Sequence, residues 1–230
     1  DFTFCNFEEA NLTNCNISEC HFACSILDRA VLSNVHAHSA SFIRASLKNA
    51  NINSGYFEDA RFNQASLQKV NPTNASRIKR ATFDQAGFSE GVDISGIDGN
   101  LTSFNGCDLV DADFSDTHLR EAKFINTGLR GCDFRHAHIR EASFEGATIN
   151  RMETENNDFE GCSMNNTEIN ETVFKNSNFS TDCLEEAELH DVEFRESNLK
   201  TVDFTLTSQF KRPAIVSSNI DEAKFDDLHL

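Results

Sequence analysis

The chain has 230 residues and a formal net charge of −17 at pH 7, from 37 acidic and 20 basic residues. This balance argues against direct nucleic-acid binding through neutralised phosphates and favours attraction to basic surfaces. No apolar run approaches the ~20 residues that a membrane-spanning helix needs, so we expect no membrane span. Phe occurs 21 times, while Trp is absent and Tyr occurs once, which indicates one repeated structural role for Phe.

A five-residue period starts at the first residues and runs along the chain. Each unit has a large apolar residue, here called the centre, and a small residue two positions before it. Residues two apart on an extended segment point to the same side, so both face an interior and the others face outward. The first centres are Phe2, Phe7, Leu12, Ile17, Phe22, Leu27 and Leu32.

The period slips by single residues, which read as bulges in a regular coil. We expect residues 1–230 to form a single domain. We also expect the chain to be a fragment of a longer protein. The Gly-rich segment 91–100 could bulge outward as a loop. The slips lie near residues 70–78, 89–103 and 205–214, and the pattern is also disturbed around Pro72 and at residues 152–157 and 206–213.

The units ANLTN, ADFSD (residues 112–116) and SNFST (residues 177–181) carry the pattern A/C–D/N–L/F–S/T–X. The chain resembles the pentapeptide-repeat family over essentially its whole length. This resemblance implies an all-β fold, a right-handed quadrilateral β-helix (solenoid) with four pentapeptides per coil. Steps of 20 residues, corrected for the slips, place Phe at ten of twelve centres of one face. The sequence therefore predicts a continuous Phe stack within a rod of about 11 coils.

Most cysteines occupy the small interior position, which predicts buried, reduced thiols in a cytoplasmic compartment. Cys24 and Cys183 fall at outward positions, where we expect accessible thiols. The six interior cysteines are Cys5, Cys15, Cys20, Cys107, Cys132 and Cys162.

Two His-x-His triplets, at residues 36–38 and 136–138, lack a third metal ligand at fixed spacing, so solvated histidines are the expected state. No catalytic or phosphate-binding motif occurs. We therefore expect neither enzymatic activity nor a cofactor or metal.

One face carries acidic residues immediately before its centres, where earlier coils use Asn. Stacking like charges about 5 Å apart costs stability that Asn would avoid. This cost indicates a partner-binding surface, although Asp at this position also follows the family pattern. The acidic strip consists of Asp93, Asp113, Asp133 and Glu153, with Asp111 and Asp116 close by.

The adjacent face carries a mid-rod basic strip. It could bind a partner, or it could be a ladder of Arg–Glu pairs on a solvated face, each contributing little. The basic strip consists of Arg77, Lys79, Arg80, His118, Arg120, His138 and Arg140.

These features favour a non-catalytic interaction or scaffold module that binds another protein through a charged face, with self-association at its ends or edges. The resemblance includes β-helix domains of bacterial type III secreted effectors, some joined to a HECT-like ubiquitin ligase. It implies a bacterial cytoplasmic protein, or one in the host cytosol if secreted. The alternative is a DNA mimic that binds type II topoisomerase, as proposed for quinolone-resistance pentapeptide proteins. Those proteins usually end in a dimerising helix, whereas Ser217–Leu230 stays in register.

Overall fold

The computed structural model describes residues 1–70, 77–179 and 183–225, which form an all-β parallel solenoid. Residues 20 or 21 positions apart pair in parallel, such as Asn6 with Ile26 and Tyr56 with Arg77. Within the described residues these pairs fall into four ladders that run along the molecule. The predicted 20-residue spacing is therefore confirmed. The number of coils and the right-handed, four-sided cross-section stay predictions.

Short strands form in the second half of the chain, where two ladders become regular enough to make sheets. Both sheets are parallel, with orders β1-β2-β4-β6-β8 and β3-β5-β7-β9. The strands are β1 (Gly128–Arg130), β2 (Thr148–Asn150), β3 (Glu153–Glu155), β4 (Glu168–Asn170), β5 (Val173–Lys175), β6 (Glu188–His190), β7 (Glu193–Arg195), β8 (Gln209–Lys211) and β9 (Ala214–Val216). A 3₁₀ turn at Phe204–Leu206 lies at the last slip.

Nearly every described unit turns through one residue in the left-handed region, such as Asn14 with a φ of 59°. The residue before the centre supports the turn, because its side chain accepts the N–H two residues ahead. The Asn11 Oδ1 lies 3.0 Å from the Thr13 nitrogen, and the Asp113 Oδ1 lies 2.9 Å from the Ser115 nitrogen. Asn and Asp therefore serve this turn equally, and the turn does not require the negative charge of Asp113.

The interior contains the predicted Phe stack, which is continuous from Phe2 to Phe144. The ring centroids of Phe104 and Phe124 are 5.4 Å apart, and those of Phe124 and Phe144 are 5.2 Å apart. Rings of a neighbouring ladder meet this stack edge-on, as Phe134 does at 5.6 Å from Phe124. Stacked and edge-on contacts together fill the solenoid with aromatic carbon.

Polar residues at the small interior position donate hydrogen bonds to backbone carbonyl oxygens. The Thr127 Oγ1 donates to the Phe104 carbonyl at 2.9 Å, and the Cys132 Sγ donates to the Leu109 carbonyl at 2.8 Å. Burial of a hydroxyl or thiol is tolerated there because each has an acceptor in the preceding coil.

The Gly-rich segment 91–100 does not bulge outward, so that prediction was wrong. Val92, Ile94 and Ile97 are buried in the core, and the segment pairs in register with the next coil. Gly91 and Gly96 each have a φ of +65°. Glycine occupies the ordinary left-handed turn position in these units, where it carries no steric cost.

Of the other predicted disturbances, one segment is regular, one is irregular and one lies outside the described residues. Residues 152–157 are regular, because Met152 and Thr154 are buried at interior positions and β3 runs through the segment. Residues 206–213 are irregular and include the 3₁₀ turn and β8. Pro72 lies outside the described residues.

The predicted exposure of Cys183 was wrong, since only 4% of this residue is exposed. Cys24 is partly exposed, as predicted, but Cys5 is exposed while Cys15 and Cys20 are partly exposed. Cys5, Cys15 and Cys20 occupy the small position of their units, whereas Cys24 occupies a left-handed turn position with a φ of 55°. Position within a repeat therefore does not determine thiol exposure by itself.

Gly55 provides a test of how tightly the interior is packed. A Cβ at this position would lie 2.3 Å from the Phe57 Cε2 and 3.0 Å from the Ile52 carbonyl oxygen. We expect Gly55→Ala to lower the free energy of unfolding by about 1–3 kcal/mol through overpacking, measured by urea denaturation. The control is Gly87→Ala, whose Cβ would meet only the end of the flexible Gln68 side chain. Equal losses in both variants would show that the site at Gly55 is not tightly packed.

Candidate interaction surfaces

The residues of the acidic strip that precede its centres lie on one ladder. Asp93 pairs with Asp113, Asp113 with Asp133, and Asp133 with Glu153. The predicted stacking of four acidic residues on successive coils is therefore confirmed as geometry. Its role in binding stays a prediction.

One cation relieves the repulsion in the second half of the acidic strip. The Arg135 Nη2 lies 2.5 Å from the Asp133 Oδ2, and the Arg135 Nε lies 3.3 Å from the Glu153 Oε2. Burial alone would raise the pKa of Asp133, but hydrogen bonds from Arg135 outweigh it and hold that pKa below its usual range. The cost of like charges is consequently smaller here than the sequence indicated.

The first half of the acidic strip lies in a part of the chain without Lys or Arg. Residues 91–119, here called the acidic segment, contain 6 acidic residues and no Lys or Arg. Among the described residues, no cation forms an ion pair with Asp111, Asp113 or Asp116. The acidic residues of the segment are Asp93, Asp98, Asp108, Asp111, Asp113 and Asp116.

Charge is unevenly distributed along the chain, and the pattern of charges on individual faces does not reveal this. Residues 1–90 contain 9 acidic and 8 basic residues, whereas residues 91–230 contain 28 acidic and 12 basic residues. A running count of charge would have found the boundary. The acidic segment stands at the start of the acidic part.

Much of the basic strip is an alternating ladder of ion pairs, which is the alternative that the sequence left open. The Arg140 Nη2 lies 2.8 Å from the Glu160 Oε1, and the Arg80 Nη2 lies 2.5 Å from the Asp59 Oδ2. Hydrogen bonding from Arg80 holds the pKa of Asp59 below its usual range. Exposed pairs of this kind contribute little to stability.

The remainder of the basic strip differs in character. The Arg77 guanidinium lies 5.3 Å from the centroid of the Tyr56 ring, which in turn stacks on His36 at 4.8 Å. The rings of His118 and His138 are also 4.8 Å apart. The 20-residue spacing predicted the contact between His118 and His138. The sequence analysis did not predict the column of His36, Tyr56 and Arg77.

In the part of the chain that the structure describes, no three His, Cys, Asp or Glu side chains are grouped so as to hold a metal ion. The same described residues contain no helix with the length and apolar character needed to cross a membrane.

Two family models of pentapeptide repeats match different parts of the chain. A family model described as a pentapeptide repeat region matches residues 100–174, and a second, described as pentapeptide repeats (8 copies), matches residues 1–34 and 25–64. No curated protein matches the chain.

Solved structures similar to the chain include HetL, a pentapeptide repeat protein from Nostoc sp. strain PCC 7120, at 15% identity and a TM-score of 0.32 over 97% of this chain and 88% of that one. QnrB1, a plasmid-mediated fluoroquinolone resistance protein, is 15% identical with a TM-score of 0.31 over 94% and 87%. A pentapeptide repeat protein of the Arabidopsis thaliana thylakoid lumen is 25% identical with a TM-score of 0.27 over 48% and 66%. The family-model matches, together with the parallel 20-residue pairing, show that this chain belongs to the pentapeptide-repeat family.

Proposed function

We propose that the chain is a non-catalytic module that presents Asp93, Asp111, Asp113 and Asp116 of the acidic segment to a basic surface of another protein. In this proposal it is a right-handed, four-sided rod of about 11 coils within a larger bacterial protein. The observation that carries the proposal is the run of 6 acidic residues without a Lys or Arg over residues 91–119.

Asp contributes a negative charge in addition to shaping the turn. Asp113 bonds to the Ser115 N–H as Asn11 bonds to the Thr13 N–H, so an amide would preserve the coil. The carboxylates add only charge. Clustered charge of one sign attracts an oppositely charged partner and raises its association rate.

The test compares two variants of equal net charge. The strip variant replaces Asp93, Asp111, Asp113 and Asp116 by Asn. The matched control replaces four carboxylates in another part of the rod by Gln, at Glu168, Glu185, Glu186 and Glu188. We expect the strip variant to bind a fluorescein-labelled (Lys-Ser)₈ peptide about tenfold more weakly than the native chain, equivalent to about 1.4 kcal/mol. The control should lose much less, and the thermal stability of the strip variant should stay the same or rise.

Equal losses in the strip variant and the control would show that only net charge matters, and the proposal would fail. A second comparison tests the basic strip with a double variant that combines Arg120→Gln and Arg140→Gln. If binding of the partner survives the strip variant and is lost in this double variant, the basic strip is the working surface.

The alternative function is mimicry of DNA towards type II topoisomerase. The excess of acidic residues in 91–230, 28 against 12 basic, supports it. Asn219 and Lys224 pair with Asn198 and Asp203, so the solenoid that would carry this charge continues to the last described residues. A gyrase supercoiling assay separates the two functions, because a DNA mimic inhibits the reaction and loses this effect in the strip variant.

A further inference from the structure

A small notch lies on the ladder of the basic strip, where three successive coils meet. It is lined by Lys79, Asn100, Leu101, Arg120 and Glu121. Backbone bonds fix the coils against each other, since the Arg80 N–H donates to the Asn100 carbonyl at 2.9 Å and the Leu101 N–H donates to the Arg120 carbonyl at 2.9 Å. The notch is therefore part of the rigid solenoid.

Two cations flank the notch, and their electrostatic surroundings differ. No described carboxylate lies within ion-pair distance of the Lys79 ammonium. Arg120 is held by Glu141, 3.1 Å from its Nη2, and by Glu121, 3.5 Å from its Nε, while its side chain stays 59% exposed. A guanidinium has five N–H donors, so the anchored Arg120 can still donate to an incoming acceptor.

Leu101 gives the notch an apolar wall. It is 41% exposed and has a φ of 63°. This left-handed turn position is filled elsewhere mainly by polar residues and glycine, because the position faces solvent and an apolar side chain gains no burial there. Beside it, Asn100 is fixed, since its Oδ1 accepts the Arg120 N–H at 2.9 Å and its Nδ2 donates to Asp98 at 2.8 Å.

We propose that this notch binds an acidic peptide segment in which a carboxylate stands next to an apolar side chain. The carboxylate lies between Lys79 and Arg120, and the apolar side chain packs on Leu101. Charge favours this occupant, because the lining carries two cations against one carboxylate, that of Glu121, which is paired with Arg120. The site is separate from the acidic strip and opposite in sign.

The probe is a fluorescein-labelled (Glu-Leu)₄ peptide, and binding is followed by fluorescence anisotropy. The assay contains about 0.15 M salt. The Debye length is then about 8 Å, so repulsion from charges farther away is largely screened. We expect Lys79→Gln and Leu101→Asn each to weaken binding at least about fivefold. Asn tolerates a positive φ, so Leu101→Asn keeps the fold. The control is Arg151→Gln, which removes one charge from a residue that pairs with Glu171 at 2.6 Å on another ladder.

Binding by (Glu-Leu)₄, with weaker binding by (Gln-Leu)₄ and (Glu-Ser)₄ and unchanged affinity in Arg151→Gln, supports the site. The proposal is overturned if (Glu-Leu)₄ does not bind, if (Gln-Leu)₄ binds equally well, or if Arg151→Gln weakens binding as much as Lys79→Gln. The strip variant should bind the probe at least as tightly as the native chain. This outcome separates failure of the notch from failure of the proposed function.

Discussion

Phe124→Ala is expected to lower the free energy of unfolding by about 3–5 kcal/mol, the usual cost of truncating a buried Phe. Phe124 is 0% exposed in the middle of the Phe stack. Its ring stacks on Phe104 at 5.4 Å and on Phe144 at 5.2 Å. Removing it leaves a cavity that coils fixed by backbone bonds on both sides cannot close. Urea denaturation followed by circular dichroism measures the loss.

Phe4→Ala is the matched control, because the same change is made outside the interior. Phe4 is 79% exposed and occupies a left-handed turn position with a φ of 61°. We expect its truncation to change the free energy of unfolding by less than about 0.5 kcal/mol, as for ordinary surface positions. Similar losses for Phe4→Ala and Phe124→Ala would mean that the assigned register is wrong.

Thiol labelling is expected to separate the cysteines by roughly a thousandfold in rate. Burial raises the pKa of Cys132 to about 12 and that of Cys107 to about 12. The thiolate is the reactive form, and each pKa unit above the assay pH lowers its population about tenfold. Cys5 is exposed and should react first, whereas Cys24 is partly exposed and should follow.

Single-cysteine variants treated with a maleimide at pH 8 would measure these rates. Cys183, which the sequence placed outside, should react with the slow group because it is 4% exposed. Fast labelling of Cys132 under native conditions would show that the coils open readily. Fast labelling of Cys183, with the buried cysteines still slow, would show that its side chain faces outward as the repeat predicts.

The coil could be predicted from the sequence because its determinants are local and repeated. A centre such as Phe42 and the small Ala40 two residues earlier specify one inward-facing pair, and the 20-residue spacing brings Phe42 over Phe22 and Phe62. Glycine was harder to interpret. Gly91 and Gly96 resemble a loop in the sequence, yet they occupy turns that Asp and Asn occupy elsewhere.

The charged surfaces were predicted only in part, because the sequence shows which charges share a face but not which of them touch. Arg135 reaches both Asp133 and Glu153, so the acidic strip is partly neutralised. That contact depends on the rotamer of a long side chain. The notch at Leu101 likewise depends on how side chains from three coils converge, which no periodicity describes.

Chemical-shift mapping would locate the binding surface residue by residue. The ¹⁵N-labelled chain would be titrated with the (Lys-Ser)₈ peptide, and amide shifts followed residue by residue. We expect the largest shifts to fall on the acidic segment, at the amides of Asp93, Asp111, Asp113 and Asp116, and to disappear in the strip variant. Shifts spread evenly over the acidic residues of 91–230, or centred on the basic strip, would contradict it.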